Sequence, residues 1–224
     1  MDTRPGDDLD AAAALAEPTR RRLYDFVARS GRPVGRDEAA GALDLPRQTA
    51  AFHLDRLADE GLLDVRFERR TGRVGPGAGR PAKLYVRSAR EVSVQLPERR
   101  YDLAGLLLAG AMEEAQASQE PPRLVLERRS RAMGATVGAR EASGSVTQAL
   151  EGLGFEPAVE GEDLVLRNCP FHELAQEHTA LVCGMNLHLV EGLLDGLGDT
   201  GMVARLAPQP GHCCVRLEPA PRER

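Results

Sequence analysis

Between Gly35 and Arg87 the chain runs helix, tight turn, helix and arginine-rich hairpin, an order that leaves little choice of fold. It predicts a winged helix-turn-helix, in which one helix is presented to the DNA major groove. The first helix is short, Gly35 to Leu43, with Asp37 and Glu38 in its first turn, where the helix dipole favours acids. Asp44-Leu45-Pro46 supplies the turn, and Pro46 is tolerated because the first helical position has no intrahelical N–H bond to lose. The second helix runs from Arg47 to Glu60 and stops at Gly61. Ala50, Leu54 and Leu57 recur at i, i+4 and i+7, so one stripe faces inward and Arg47, Gln48, Ala51, Phe52 and Asp55 are left outside.

The hairpin follows directly. Leu62 to Arg69 and Ala82 to Arg87 both alternate apolar and charged residues, as half-exposed strands do. The stretch from Arg70 to Pro81 is too rich in glycine and proline to be other than a loop. Arg66, Arg69, Arg70, Arg73, Arg80, Lys83, Arg87 and Arg90 face only Asp64 and Glu68 in acid, which suits phosphate contacts beside a reading helix. These glycines join two strands and lack the lysine–serine/threonine pair of a nucleotide-phosphate loop, so that function is set aside.

A net charge of −5 would argue against a DNA binder if charge were spread evenly, but it is not. Residues 1–100 carry 19 basic and 16 acidic side chains, whereas 101–224 carry 10 and 18, so a mildly cationic reader is joined to an anionic partner domain. With 224 residues, each of two domains can bury a core. The N-terminus is acidic and lacks the pattern of a signal peptide, and the longest apolar run, Leu103 to Met112, is half a membrane span. A cytoplasmic protein with no membrane partner is expected, its cysteines serving as thiols or metal ligands, not as structural disulfides.

The class predicted is α+β. Residues 1–8 read as a disordered lead-in, and 9–90 as the winged helix-turn-helix domain, with helices over Leu9 to Ala16 and Pro18 to Arg29 packed around the reading pair. A linker, 91–98, precedes a helical dimerisation segment at 99–120, whose helix spans Arg99 to Ser118. Paired half-sites on an operator favour a homodimer there. Residues 121–218 form an α+β domain and 219–224 a tail. In that domain helices are expected over 123–141, 145–153 and 172–197, and strands over 155–159, 163–167, 202–206 and 213–217.

All four cysteines lie late, at Cys169, Cys183, Cys213 and Cys214, with histidines at His172, His178, His188 and His212. Thiolate and imidazole suit zinc, iron–sulfur clusters or copper(I). The spacing is not that of a paired zinc knuckle, and buried cysteines acting as small apolar residues stand beside a metal site as the other reading. If Cys213 opens a strand, Cys214 points to its other face, which makes Cys213 the ligand and Cys214 a core or spare thiol.

Two segments carry a resemblance. Pro46 to Leu62, with Gly79-Arg80-Pro81-Ala82-Lys83-Leu84-Tyr85, resembles the reading helix and wing of ArsR-type regulators. Asn168-Cys169-Pro170-Phe171, Cys183 and Cys213 resemble the cysteine framework of SufR-like repressors, which control iron–sulfur assembly genes. The resemblance implies a homodimer and an iron–sulfur cluster held by Cys169, Cys183 and Cys213 with one further ligand. The Cys213–Cys214 doublet and the nearby histidines depart from that pattern. They leave open a zinc site whose fourth ligand is His172 or His188, with Cys214 a further candidate.

The resulting expectation is a DNA-binding transcription regulator, a repressor that senses iron–sulfur or redox status, bound to a double-stranded operator. Arg47, Gln48, Thr49 and Ala51 lie nearest the base edges, and Phe52 reaches a thymine methyl. His53 is either a flank residue or a phosphate contact, and Arg69, Arg70, Arg73, Arg80 and Lys83 supply the wing's cations. Two alternatives stand beside it: the same reader with structural zinc and a small-molecule effector, and a thiol enzyme using Cys183 and His178. No ordered nucleophile–base–orienter set supports the latter, and a non-enzyme is expected.

Overall fold

In the computed structural model, which describes residues 5–68, 81–142, 144–198, 200–209 and 211–221, the chain divides into two units, 1–94 and 95–224. In the first, α1 (Pro5–Ala14) and α2 (Pro18–Ser30) precede a short strand β1 (Val34–Gly35). Then come α3 (Arg36–Leu43), α4 (Arg47–Asp59), β2 (Leu63–Glu68) and β3 (Ala82–Arg87). Leu23 and Val27 of α2, Leu54 and Leu57 of α4, Val34, Leu63 and Tyr85 close one core. Glu17 caps α2 by accepting from the N–H groups of Thr19 and Arg20, and Gly31, at φ 62°, ends it in the left-handed region.

The sheet of this unit has the order β1-β3-β2, antiparallel throughout. Strand β1 takes Val34 and Gly35 against Tyr85 and Leu84, so Gly35 belongs to a strand and not to the helix expected from sequence. Helix α1 likewise starts at Pro5, inside the segment expected to be a disordered lead-in. The Asp8 carboxylate anchors it to Arg90 at 2.7 Å, and Arg90 also donates to the Glu60 carbonyl at the end of α4. Arg90 thus joins α1 to the end of α4, whereas the sequence placed it among the cations of the hairpin.

The second unit begins with α5 (Tyr101–Ser118) and α6 (Pro122–Arg140), followed by α7 (Val146–Gly152). Strands β4 (Pro157–Glu160) and β5 (Asp163–Leu166), helices α8 (His172–Glu177) and α9 (Thr179–Leu197), and strands β6 (Met202–Leu206) and β7 (Val215–Pro219) complete it. The sheet order is β4-β5-β7-β6, all antiparallel, with the β4–β5 turn at Gly161-Glu162 as expected. Ser145 caps α7 through a reciprocal pair of hydrogen bonds with Gln148. The single helix expected over 172–197 is broken at His178, whose ψ of 48° is not helical.

Helix α9 is long and apolar enough by composition to cross a bilayer, yet more than half of it is buried inside the unit. Met185, Leu189, Val190 and Leu193 fill the core with Leu126 of α6, Leu150, Phe155, Phe171 and Val215. Helices α6 and α9 meet backbone to backbone. A β-carbon at Gly134 would overlap the Leu189 carbonyl, and one at Gly138 the Leu193 carbonyl. Reciprocally, β-carbons at Gly192 and Gly196 would overlap the carbonyls of Arg131 and Ala135.

Gly192→Ala should therefore destabilise the second unit by about 1–3 kcal/mol, because a packed backbone must move to admit one methyl group. Gly152→Ala, at a helical glycine with nothing within 4 Å of the added atom, should be neutral or stabilise by at most about 1 kcal/mol. Denaturant unfolding of the two variants beside the parent chain checks the contrast.

Candidate nucleic-acid interface and cysteine site

The buried stripe Ala50, Leu54 and Leu57 fixes the rotation of α4 and so decides which side chains it offers outward. Arg47, Gln48 and Phe52 are exposed, Phe52 at 65%, while Thr49 and Ala51 are half-buried at the margin of the same face. Arg47 forms a two-pronged ion pair with Asp37 of α3. Asp55, expected on the open surface, instead accepts from Lys83 and, at 2.6 Å, from the buried Tyr85 hydroxyl, tying α4 to β3. Burial opposes ionisation of Asp55, but these two donors outweigh it and hold its carboxyl below the usual range. Burial, with the Asp55 carboxylate next in weight, pushes the Tyr85 phenol up. Of the wing cations named from sequence, Lys83 is thus engaged within the domain, and Arg69, Arg70, Arg73 and Arg80 lie outside the described residues.

His53 turns inward. Its side chain is 14% exposed, and its Nδ1 lies 3.6 Å from Glu17 Oε2 with no hydrogen-bond partner. Of the two roles left open for it, the flank residue is the one this position supports. Burial raises the Glu17 carboxyl, yet the N–H groups of Thr19 and Arg20, with His53 beside them, carry it from the usual 4.5 down to about 2.

Residues 15–66 match a family described as a helix-turn-helix domain. This is a helix-turn-helix domain. The match runs from just after α1 through most of β2, and it points to a DNA-binding transcription regulator. Comparison with curated proteins and with solved structures gives no match.

In the second unit the four cysteines gather at one end of the sheet. Cys169 follows β5, Cys183 lies in the second turn of α9, and Cys213 and Cys214 precede β7 in a non-strand segment. The strand alternation expected to separate Cys213 from Cys214 therefore does not apply. Cys213 is tied back to β5 by its N–H to the Leu166 carbonyl at 2.7 Å. Its sulfur meets Cys169 and accepts from Asn186 Nδ2 at 3.1 Å. The other two sulfurs pair as a disulfide, Cys183–Cys214, with Cα atoms 6.3 Å apart. The expectation that no cysteine is disulfide-bonded is corrected by that pairing.

Cys169 and Cys213 are hydrogen-bonded to each other. Donation from the Cys213 thiol lowers Cys169, against burial and with help from the Phe171 N–H and the Arg99 guanidinium. Cys213 is raised by the same bond and by burial. Asn168, buried beside Cys169, donates to the carbonyls of Glu98 and Gly154 and accepts from Arg99, which also reaches the Cys169 carbonyl. The Arg100 N–H bonds the Pro170 carbonyl at 3.0 Å. The cysteine loop is thereby stitched to the residues that lead into α5.

The histidines stay apart from these sulfurs. His172 is exposed and engages Gln176, while His188 lies between Glu191 and Glu127. His178 is exposed at the break between α8 and α9, and the Cys183 sulfur it was weighed with faces Cys214. Among the described residues no three His, Cys, Asp or Glu side chains are disposed as metal ligands. Sequence reasoning missed Asn186, whose Oδ1 is buried without a partner beside Cys213. A polar residue within the apolar run Leu181 to Leu194 was the available signal.

Because the Glu17 carboxyl is depressed in the folded chain, its contribution is complete above 4.5 and is lost as pH falls from there toward about 2. Glu17→Gln should make the acid limb of the first unit's stability shallower than in the parent chain. Urea unfolding between about pH 5 and about pH 2 measures this, and identical limbs would remove Glu17 from the account.

Proposed function

We propose that the protein is a homodimeric transcriptional repressor whose second unit reports iron–sulfur or redox status to the DNA reader. The observation that carries the reading is the outward face of α4, fixed by its buried stripe within the matched helix-turn-helix. Gln48 and Phe52 are exposed there, suited to an adenine edge and a thymine methyl. For the dimer, α5 buries Ala104, Leu107, Ala111 and Ala115 but leaves Leu106 68% and Met112 60% exposed, an apolar face that a second copy would cover. Such a regulator works beside DNA in a reducing cytoplasm.

The donor chemistry fits an iron–sulfur cluster held by Cys169, Cys183 and Cys213, as the SufR-like resemblance implies. The Cys169–Cys213 and Cys183–Cys214 pairs bring soft thiol donors together, and the orphaned Asn186 Oδ1 adds an unsatisfied polar atom there. Opening of the Cys183–Cys214 bond is needed before Cys183 can bind. A bound cluster supplies a redox-sensitive and losable group. A structural zinc site completed by His172 or His188 is less favoured, since those rings engage Gln176 and the Glu191/Glu127 pair. Asn168 donates to the Glu98 carbonyl, and the Cys169 and Pro170 carbonyls accept from Arg99 and the Arg100 N–H, which gives the loop a direct connection to the start of α5.

Two measurements test this. Gln48→Ala should weaken binding to the cognate operator by roughly 1–3 kcal/mol and relax a single base position, whereas a loss equal across unrelated DNAs would confine Gln48 to backbone contact. Protein purified without oxygen should carry iron and sulfide and absorb broadly near about 400 nm, fading in air together with a change in operator affinity. Colourless protein with one zinc per chain would overturn the cluster reading and favour the zinc one.

A further inference from the structure

The Cys183–Cys214 bond and the Cys169/Cys213 dithiol meet through the peptide link between Cys213 and Cys214, so four sulfurs divide into one closed and one open pair. We infer that Cys183–Cys214 is a reversible disulfide lock, whose closed form withdraws Cys183 from the ligand set and prevents cluster loading. This rests on the cluster reading above and assigns a role to Cys214, which that reading does not use.

Geometry and chemistry support it together. The Cα separation of 6.3 Å lies within the span a disulfide bridges without backbone movement. The two residues belong to different elements, α9 and the segment before β7, so the bond couples the helix that crosses the core to the segment that carries Cys213. A sulfur committed to a disulfide has no thiolate to give a metal, so closure and ligation by Cys183 exclude each other. Disulfides in a reducing compartment are characteristically transient and regulatory, which is the behaviour a DNA reader in the cytoplasm would need.

The step balances with a low-molecular-weight disulfide, of the oxidised-glutathione class, as oxidant. Cys214 is half-buried and Cys183 buried, so Cys214 is the accessible attacker. Its thiolate attacks one sulfur of the small disulfide, breaking that S–S bond and releasing one small thiolate. The Cys183 thiolate then attacks the Cys214 sulfur of the mixed disulfide and displaces the second. Two protein thiols lose two protons and two electrons in all, and two small thiols carry both away. A small thiol or dithiol reverses the sequence.

The test uses the full-length chain. After incubation with oxidised glutathione, alkylation and peptide mapping should find Cys183 cross-linked to Cys214, with Cys169 and Cys213 alkylated; dithiothreitol should return all four to the alkylated form. Oxidised protein should then take up at least about tenfold less iron than reduced protein when supplied with ferrous iron and sulfide, as expected for loss of a direct ligand. Cys214→Ser, and Cys214→Ala as a second variant checked for native circular dichroism, should load equally well after either treatment. A different cross-link, or equal loading of oxidised and reduced parent chain, overturns the lock. If reduced parent and both variants all fail to take up iron and sulfide, the cluster reading falls; the inference that closure blocks loading falls with it, and the mapped bond stands only as a disulfide.

Discussion

The second unit depends on one contact, the backbone-to-backbone approach of α6 and α9. Four glycines make it, Gly134 and Gly138 on one helix and Gly192 and Gly196 on the other, each pair four residues apart and each facing a carbonyl of the opposite helix. At that distance neither helix can slide or rotate without collision, so the register of α9 is set by steric exclusion as well as by apolar burial. The ion pairs of Arg131 with Glu191 and Asp195 flank the same contact. Being exposed, they contribute little on their own, on the order of 0–1 kcal/mol each, and cannot replace the packing.

The cysteine site inherits its geometry from that contact. Cys183 and Asn186 ride on α9, less than one turn apart, and both are buried. With α9 fixed, the Asn186 amide is held against the Cys213 sulfur and the Cys183 sulfur against Cys214. The remaining member, Cys169, is placed by its own loop, where Asn168 joins the carbonyls of Glu98 and Gly154 and Arg99 closes the group. Two placements on α9 and one hydrogen-bonded loop converge on the site.

What the sequence disclosed follows from the range of the forces involved. The stripe on α4, the hairpin strands, the turn at Gly161-Glu162 and the short helix that opens at Ser145 are local patterns, and they were legible. Strand β1 is only two residues and exists because Val34 and Gly35 pair with Tyr85 and Leu84, so nothing nearby announces it. The break at His178 has no glycine or proline to signal it. Glycines at four-residue spacing are visible in both α6 and α9, but they acquire meaning only once the two helices are known to face each other. The cysteines were found by type, whereas their pairing depended on Cys213 and Cys214 lying outside β7, a boundary shift of two residues that reverses the argument about faces. The histidines looked available by proximity in sequence, yet Glu191, Glu127 and Gln176 engage two of them.

The first unit shows a separation of fixed and exchangeable parts. Asp55 binds the buried Tyr85 hydroxyl, so that bond holds α4 against β3 and would be costly to give up. The Arg47–Asp37 pair is of another kind, since both side chains are more than half exposed. An exposed pair of that sort contributes on the order of 0–1 kcal/mol, whereas a two-pronged arginine–guanine contact discriminates by about 1–3 kcal/mol. The Arg47–Asp37 pair is therefore the part of this unit that can be exchanged at little cost, whereas the Asp55–Tyr85 bond is the part that cannot.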